Sequence, residues 1–404
     1  MSSHFEIRPP TSNRSIPLIV HIPHDSATIP EPWRLQIQLD DSELALELLA
    51  MTDAHTEHLF APASLSRGGT AFVNRLSRLV FDPERFESDE DEPMARKGMG
   101  AVYMRTSDGR PLRRDDFLPD GRNRVIDELF RPYARAFGDL VSLTLESHGS
   151  CLIIDCHSFP SRPLPYEDAG LDRPDLCLGF DPIHASDVLI DAMAAIGRRA
   201  GWSVGRNVPF AGSYVPLAHY QSDQRVRSVM IELNRARYMN EQTGERSPRF
   251  DQVVQLVDAL IAEALLIEAY RSTCFEAVTP RGRITLKIDQ PSPPLDMLLA
   301  NSSTASWAFI TAWNPRSATT SAAENQHRNR VLREKLRSLE LPTFEGLGLP
   351  SDPGWEPEES FLVLGVSKEL AADLGREFDQ NAIVWGEIQG PAMLIDCRLD
   401  FGGG

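Results

Sequence analysis

Cysteine is scarce in this 404-residue chain: Cys151, Cys156, Cys177, Cys274 and Cys397, with no CxxC pair among them. Nothing in that set suggests a structural zinc held by four thiolates, and an odd, scattered set argues for reduced thiols rather than a disulfide framework. Long apolar runs are missing as well. No stretch approaches the roughly 18 residues that a membrane span requires. The opening MSSHFEIRPPTSNRS has no apolar core of the signal-peptide kind. Positive charge is in deficit, with 41 Lys and Arg against 58 Asp and Glu and a net charge of -17. A nucleic-acid binder usually shows a basic face, so nucleic acid is not an expected partner. The expectation is a cytoplasmic protein with neither membrane nor nucleic acid as partner. An anionic small substrate stays open, because a local arginine cluster can override the global field.

What is present describes an ordinary globular protein, 42% apolar and 25% charged, long enough for two domains. Residues 1 to about 276 alternate between strand-like and helix-like segments. Strands are expected at 16–23, 71–74, 79–82, 151–155, 175–180 and 226–233, and helices at 40–60, 121–149, 184–200 and 248–271. The acidic stretch 87–98 reads as a loop. Alternation of this kind predicts an α/β domain with a mostly parallel sheet flanked by helices. After Phe275 the composition changes. QPSPPLD and NSSTAS look like a joint, which puts a linker at 277–306. A helix over 322–339 and strands at 361–366, 381–387 and 392–397 then predict a smaller α+β domain over 307–404.

In an open parallel sheet, ligands gather outside the carboxyl ends of the strands. Here IPLIVHI runs into Pro23-His24-Asp25-Ser26, CLIID into Cys156-His157-Ser158, and VRSVMI into Glu232-Leu233-Asn234. Two imidazoles and a carboxylate are the groups of a catalytic zinc site, which needs about three N/O ligands, an open position and a nearby carboxylate base. A lone strand-end histidine is more often a satisfied structural group. His24, His157 and Glu232 together bring the metal reading level with that one. His21 lies inside its strand, on the face opposite Ile22, and takes the structural reading. Candidates for a third ligand crowd MTDAHTEHL: Asp53, His55, Glu57 and His58, of which Glu57 and His58 read as a solvated helix end. Arg75, Arg78, Asp82 and Arg85 form a second constellation. Guanidinium groups bind carboxylates bidentately, while spacing alone slightly favours ordinary ion pairing with the acidic run at 87–92.

PHDSATIP, TDAH, SRLVFDPER, DCHS, PDLCLG, GSYVPLAHY and IELNRARYM occur in the order found in the N-formylglutamate amidohydrolase (deformylase) family. The chain resembles that family over roughly residues 16–245, with the helix to about 275 in the same domain. The resemblance implies a zinc-carboxypeptidase-like (phosphorylase/hydrolase-like) fold over a catalytic domain of residues 1–276. It implies one Zn2+ per chain, or another divalent metal, held by His24, His157 and Asp53. It makes Glu232 the general base, gives Arg78 and Arg85 to substrate carboxylates, and places His219 and Tyr214 at the site, with His219 aiding the oxyanion. Asp155 is expected to accept a hydrogen bond from a site group. Two departures stand out. Carboxypeptidase-like sites place an acidic ligand three residues after the first histidine, where this chain has Ala27, and Asp25-Ser26 replaces a small pair after His24.

The activity implied is zinc-assisted hydrolysis of the formyl amide of N-formyl-L-glutamate or a close N-acyl amino acid. The alternatives are a zinc enzyme acting on another N-acyl amino acid or peptide, and a non-catalytic binding or regulatory protein with a degenerate site. The C-terminal module resembles a small bacterial domain of unknown function, through Trp307, Trp313-Asn314-Pro315, Glu324-Asn325 and the strand Phe361–Gly365. Glu324, Asn325 and Arg328 share a helical face that reads as solvated. No partner is assigned to that module.

Overall fold

The computed structural model describes residues 4–117, 119–351 and 354–398. It divides into two compact units, Met1–Ala262 and Glu263–Gly404. Among the described residues, no helix is long and apolar enough to cross a membrane.

The first unit holds β1 (Phe5–Arg8), β2 (Leu18–Ile22), β3 (Thr70–Asn74), β4 (Cys151–Phe159), β5 (Leu176–Gly179), β6 (Val204–Arg206) and β7 (Val226–Asn234). Their order is β1-β3-β2-β4-β7-β5-β6. The four central strands, β3, β2, β4 and β7, run parallel. β1 and β5 reverse against β3 and β7, so the sheet is mixed, with a parallel centre. The apolar runs Leu18–Ile22 and Leu152–Ile154 are fully buried, as strands covered on both faces require. β4 and β7 are longer than the apolar runs suggest. Their ladder continues in register to Phe159 opposite Asn234, so His157 and Glu232 lie within strands rather than beyond them.

Helices α1 (Asp41–Met51), α2 (Thr56–Arg67), α3 (Arg131–His148), α4 (Asp187–Arg199) and α5 (Phe250–Ser272) accompany this sheet, α5 running past residue 262 into the second unit. The single helix expected over 40–60 is two. α1 starts at a reciprocal cap between Asp40 and Glu43 and stops at Thr52, which is extended. His55 is left-handed, with φ 72°, and opens α2. α3 buries Tyr133, Phe137, Val141 and Leu145, one side chain every four residues, against an apolar cluster that includes Phe72 and Ile153. Gly149, with φ 77°, ends it as expected.

Residues 79–82 are not a strand. They form a buried turn in which the Val80 N–H donates to Ser77 O and the Asp82 N–H to Ala101 O. Pro83 follows and offers no N–H for a ladder.

The second unit is an antiparallel sheet of β8 (Cys274–Thr279), β9 (Gly282–Leu286), β10 (Ser306–Ile310), β11 (Thr343–Leu349), β12 (Glu358–Leu364), β13 (Ala382–Glu387) and β14 (Met393–Asp396). Its order is β14-β13-β10-β12-β11-β8-β9. The expected linker 277–306 is therefore structured. β8 and β9 bury Phe275, Ala277, Ile284 and Leu286 at alternate positions, the period of a half-buried hairpin. The prolines of QPSPPLD open the helix α6 (Pro293–Asn301), where their missing N–H groups cost nothing. In α7 (Ala322–Ser338) the expected solvated face is partly internal. Asn325 is buried against Asn314, and Arg328 donates to the carbonyls of Ala312 and Phe378.

Candidate active site

Parallel, in-register strands put paired residues on the same face. His21 pairs with Asp155, and His157 with Glu232, so β2, β4 and β7 present these four side chains side by side. His24 follows two residues after β2. Asp53 reaches it because the chain breaks between α1 and α2: the Asp53 N–H donates to His24 O at 3.0 Å. The Arg235 guanidinium to Ala50 O at 2.6 Å and the Tyr238 hydroxyl to Ala54 O at 2.9 Å tie the same break down.

The result is a buried trio. His157 Nδ1 lies 3.1 Å from Asp53 Oδ2 and 3.3 Å from His24 Nδ1, and His24 Nδ1 lies 3.7 Å from Asp53 Oδ2. Each member is oriented from behind. His24 Nε2 faces Asp82 Oδ1 at 2.9 Å; His157 Nε2 faces Glu84 Oε1 at 3.1 Å and Asp155 Oδ1 at 3.2 Å; Asp53 Oδ1 accepts from Arg235 at 2.8 Å. Imidazoles fixed through their far nitrogens by carboxylates are the usual support of metal-binding histidines. Two nitrogens and one carboxylate oxygen suit a zinc-type ion, so the donor set fits a divalent metal.

Charge tells the same story. Burial opposes a charged His157, yet Glu84 and Asp155 lift its pKa well above the usual imidazole range. Burial would raise Asp53, but His157, His24 and Arg235 hold it well below the ordinary carboxylate range. The pocket of carboxylates demands a positive charge at the trio, which a proton or a metal ion can meet. Glu232 is different. Burial, with Asp53's charge adding to it against His157 and Arg235, pushes its carboxyl up to about 8, and its Oε2 has no hydrogen-bond partner.

These groups line a cavity of about 870 Å³ that also includes Arg78, Arg85 and Tyr214. Asp82 is the hub of its arginines. It accepts from Arg78 at 2.8 Å and from the Tyr103 hydroxyl at 2.7 Å, with Arg85 Nε 3.4 Å away. Arg78 and Arg85 each keep a buried Nε that makes no hydrogen bond. Arg75 instead pairs with Glu6 and Glu57 outside this group. Tyr214 stacks on His21, and its backbone N–H donates to Asp155 Oδ2 at 2.9 Å.

His21 is fully buried, its ring nitrogens facing Asp155 Oδ1 at 3.0 Å and the Tyr133 hydroxyl at 2.8 Å, and with Glu84 and Asp155 it forms a second group of neighbouring donors. Asp155, in turn, does serve a site group, through His157. His55 contacts Gly244 O rather than the trio, and His58 is exposed. His219 stands outside the cavity lining, next to Ala218 and Tyr220, which are part of it; its ring nitrogens face Ser142 Oγ at 3.3 Å and Asp223 Oδ2 at 3.6 Å. Sequence reasoning passed over Glu84 and Arg235. Both sit inside motifs that drew attention, DPER and IELNRARYM, and a charged residue flanking a candidate ligand was the available signal.

A family model described as N-formylglutamate amidohydrolase matches residues 16–239. A second, for a protein family of unknown function (DUF3293), matches residues 310–383. The N-formylglutamate deformylase of Pseudomonas aeruginosa is 29% identical over 234 residues, 56% of this chain and 84% of that protein. The N-formylglutamate deformylase of Pseudomonas putida is 27% identical over 258 residues, 62% of this chain and 92% of that protein. The solved N-formylglutamate amidohydrolase from Ralstonia eutropha JMP134 shares the fold, with a TM-score of 0.56 at 21% identity, over 66% of this chain and 98% of that one.

Proposed function

The chain belongs to the N-formylglutamate amidohydrolase family, and from that premise we propose that it hydrolyses the formyl amide of N-formyl-L-glutamate, or of a close N-acyl amino acid, as a zinc-dependent enzyme on a zinc-carboxypeptidase-like scaffold. The observation that carries this is the trio His24, Asp53 and His157 beside an unpartnered Glu232 carboxylate, in a cavity that two arginines enter. His24 Nδ1, Asp53 Oδ2 and His157 Nδ1 would hold the metal. When bound, a divalent ion supplies Lewis acidity for the amide carbonyl and for the attacking water.

The chain's own residues supply the rest. Glu232 Oε2 takes the proton of the attacking water and returns it to the departing amine nitrogen. A carboxylate with one oxygen bonded to nothing in the protein is free to make that transfer. Arg78 and Arg85 hold the two substrate carboxylates, and Asp82 fixes both guanidinium groups so that binding loses little side-chain freedom. Tyr214 forms wall, positioned through Asp155. His219 has no part in this scheme.

Formate release from N-formyl-L-glutamate, with metal content measured on the same sample, tests the reading. Chelator-sensitive release at one metal per chain is expected. Metal-replete protein that releases no formate would overturn the substrate assignment, and full activity after complete metal removal would overturn the metal.

A further inference from the structure

The cavity is much larger than its proposed substrate. N-formyl-L-glutamate has about 12 non-hydrogen atoms, whereas pockets of roughly 300–1,000 Å³ hold drug-sized ligands. At about 870 Å³, this one lies near the top of that range. Its walls are unequal. The trio is almost fully buried, while Phe86, Leu171 and Leu217 line the same cavity and are 38%, 40% and 69% exposed. These three side chains offer apolar surface in the exposed part of the cavity that holds the trio.

The polar groups decide which end of the substrate reaches them. With the amide at the trio and one carboxylate on each of Arg78 and Arg85, the glutamate half is anchored. The acyl substituent is the part left without a polar partner. We infer that this protein hydrolyses N-acyl-L-glutamates with an apolar acyl chain of several carbons, the chain lying along Phe86, Leu171 and Leu217. This rests on the hydrolase reading above and extends it. The chemistry balances as for the formyl compound: the water oxygen bonds to the acyl carbon, the C–N bond breaks, and the proton held at Glu232 passes to nitrogen, giving a carboxylic acid and glutamate.

Glutamate release from the N-formyl, N-acetyl, N-butanoyl and N-hexanoyl compounds tests it on the metal-loaded full chain. Each methylene buried against such a wall is worth about fourfold, so kcat/KM should rise at least tenfold from formyl to hexanoyl. Leu217→Ser, at an exposed position, should cut the hexanoyl value several-fold and leave the formyl value within about twofold; Phe86→Ser should do the same. A steady fall from formyl to hexanoyl, with both variants indifferent to chain length, overturns the inference while leaving deformylase activity standing. No glutamate from any of the series, the formyl compound included, brings down the hydrolase reading and this extension with it.

Discussion

At the scale of single residues, the site separates two kinds of carboxylate by their surroundings. Asp53 and Asp82 are surrounded by cationic partners and stay ionised; Glu232 is buried with one oxygen unsatisfied, which in the metal-free protein pushes its carboxyl up to about 8, and a divalent cation at the trio would lower it again into the range of a proton acceptor. Glu232→Gln should keep metal stoichiometry near wild type and lower kcat by about 10²–10⁴-fold, the usual contribution of a general base; turnover and metal content on the same preparation check this. A stability effect accompanies it. An unfolded glutamate ionises near about 4.3, so between that pH and about 8 the folded, metal-free protein keeps a proton that the unfolded chain has lost. Stability attributable to Glu232 therefore falls as pH rises through that window and levels off above it. Chelator-treated Glu232→Gln should lack this slope in urea unfolding, and should exceed wild type by about 1–3 kcal/mol at pH 7.5, after allowance for the amide's own unmet bonds.

At the scale of elements, two irregular segments do what strands and helices cannot. The turn at 79–82 carries Asp82, and Arg113 holds it from beneath, donating to Leu79 O at 2.7 Å, Val80 O at 2.9 Å and Tyr103 O at 3.2 Å. Burial lowers the Arg113 guanidinium to about 10, and its ring partner is Phe117, at 4.7 Å. Arg113→Ala should cost about 2–4 kcal/mol through the carbonyls it strands, and should weaken metal binding as Asp82 loosens its hold on His24; urea unfolding and metal titration measure the two effects. The break between α1 and α2 carries Asp53. MTDAHTEHL has the composition of a continuing helix, and nothing local in it demands a stop. The stop comes from bonds to His24, Arg235 and Tyr238, residues 29 to 185 positions away, which no local pattern can reveal.

At the scale of the molecule, His24, Asp53 and His157 come from the end of β2, the α1–α2 break and β4, so an ion held by them would tie these three segments together. A divalent ion at about a thousand times its Kd should stabilise the first unit by about 4 kcal/mol. Hydrogen exchange with and without chelator should show the added protection in β2, β4 and residues 52–55, and none in β8–β14. Protection spread evenly over both units would point to a different metal site. The second unit stands as an antiparallel sheet with its own buried cluster of Ile310, Leu332, Phe361 and Trp385, among others.

The sequence by itself determined the strands that build the sheet centre and the residue types that meet at their ends. Apolar runs are dictated by burial, and His24, Asp53, His157, Glu232, Arg78 and Arg85 all stand out as polar groups beside such runs. It could not determine the reversed direction of β5, since an apolar strand reads alike in either sense. Nor could it show the β8–β9 hairpin joining the second sheet, because the partner of β8 lies some seventy residues on, in β11, and β9 joins only through β8. His219 has the chemistry of a catalytic group but stands outside the cavity lining, and Glu84 and Arg235 lie against the trio without a distinctive sequence pattern. Only the tertiary structure decides such cases, because catalytic geometry is fixed by which side chains lie within about 3–4 Å of one another, and that distance is set by the sheet register and the turns rather than by any residue alone.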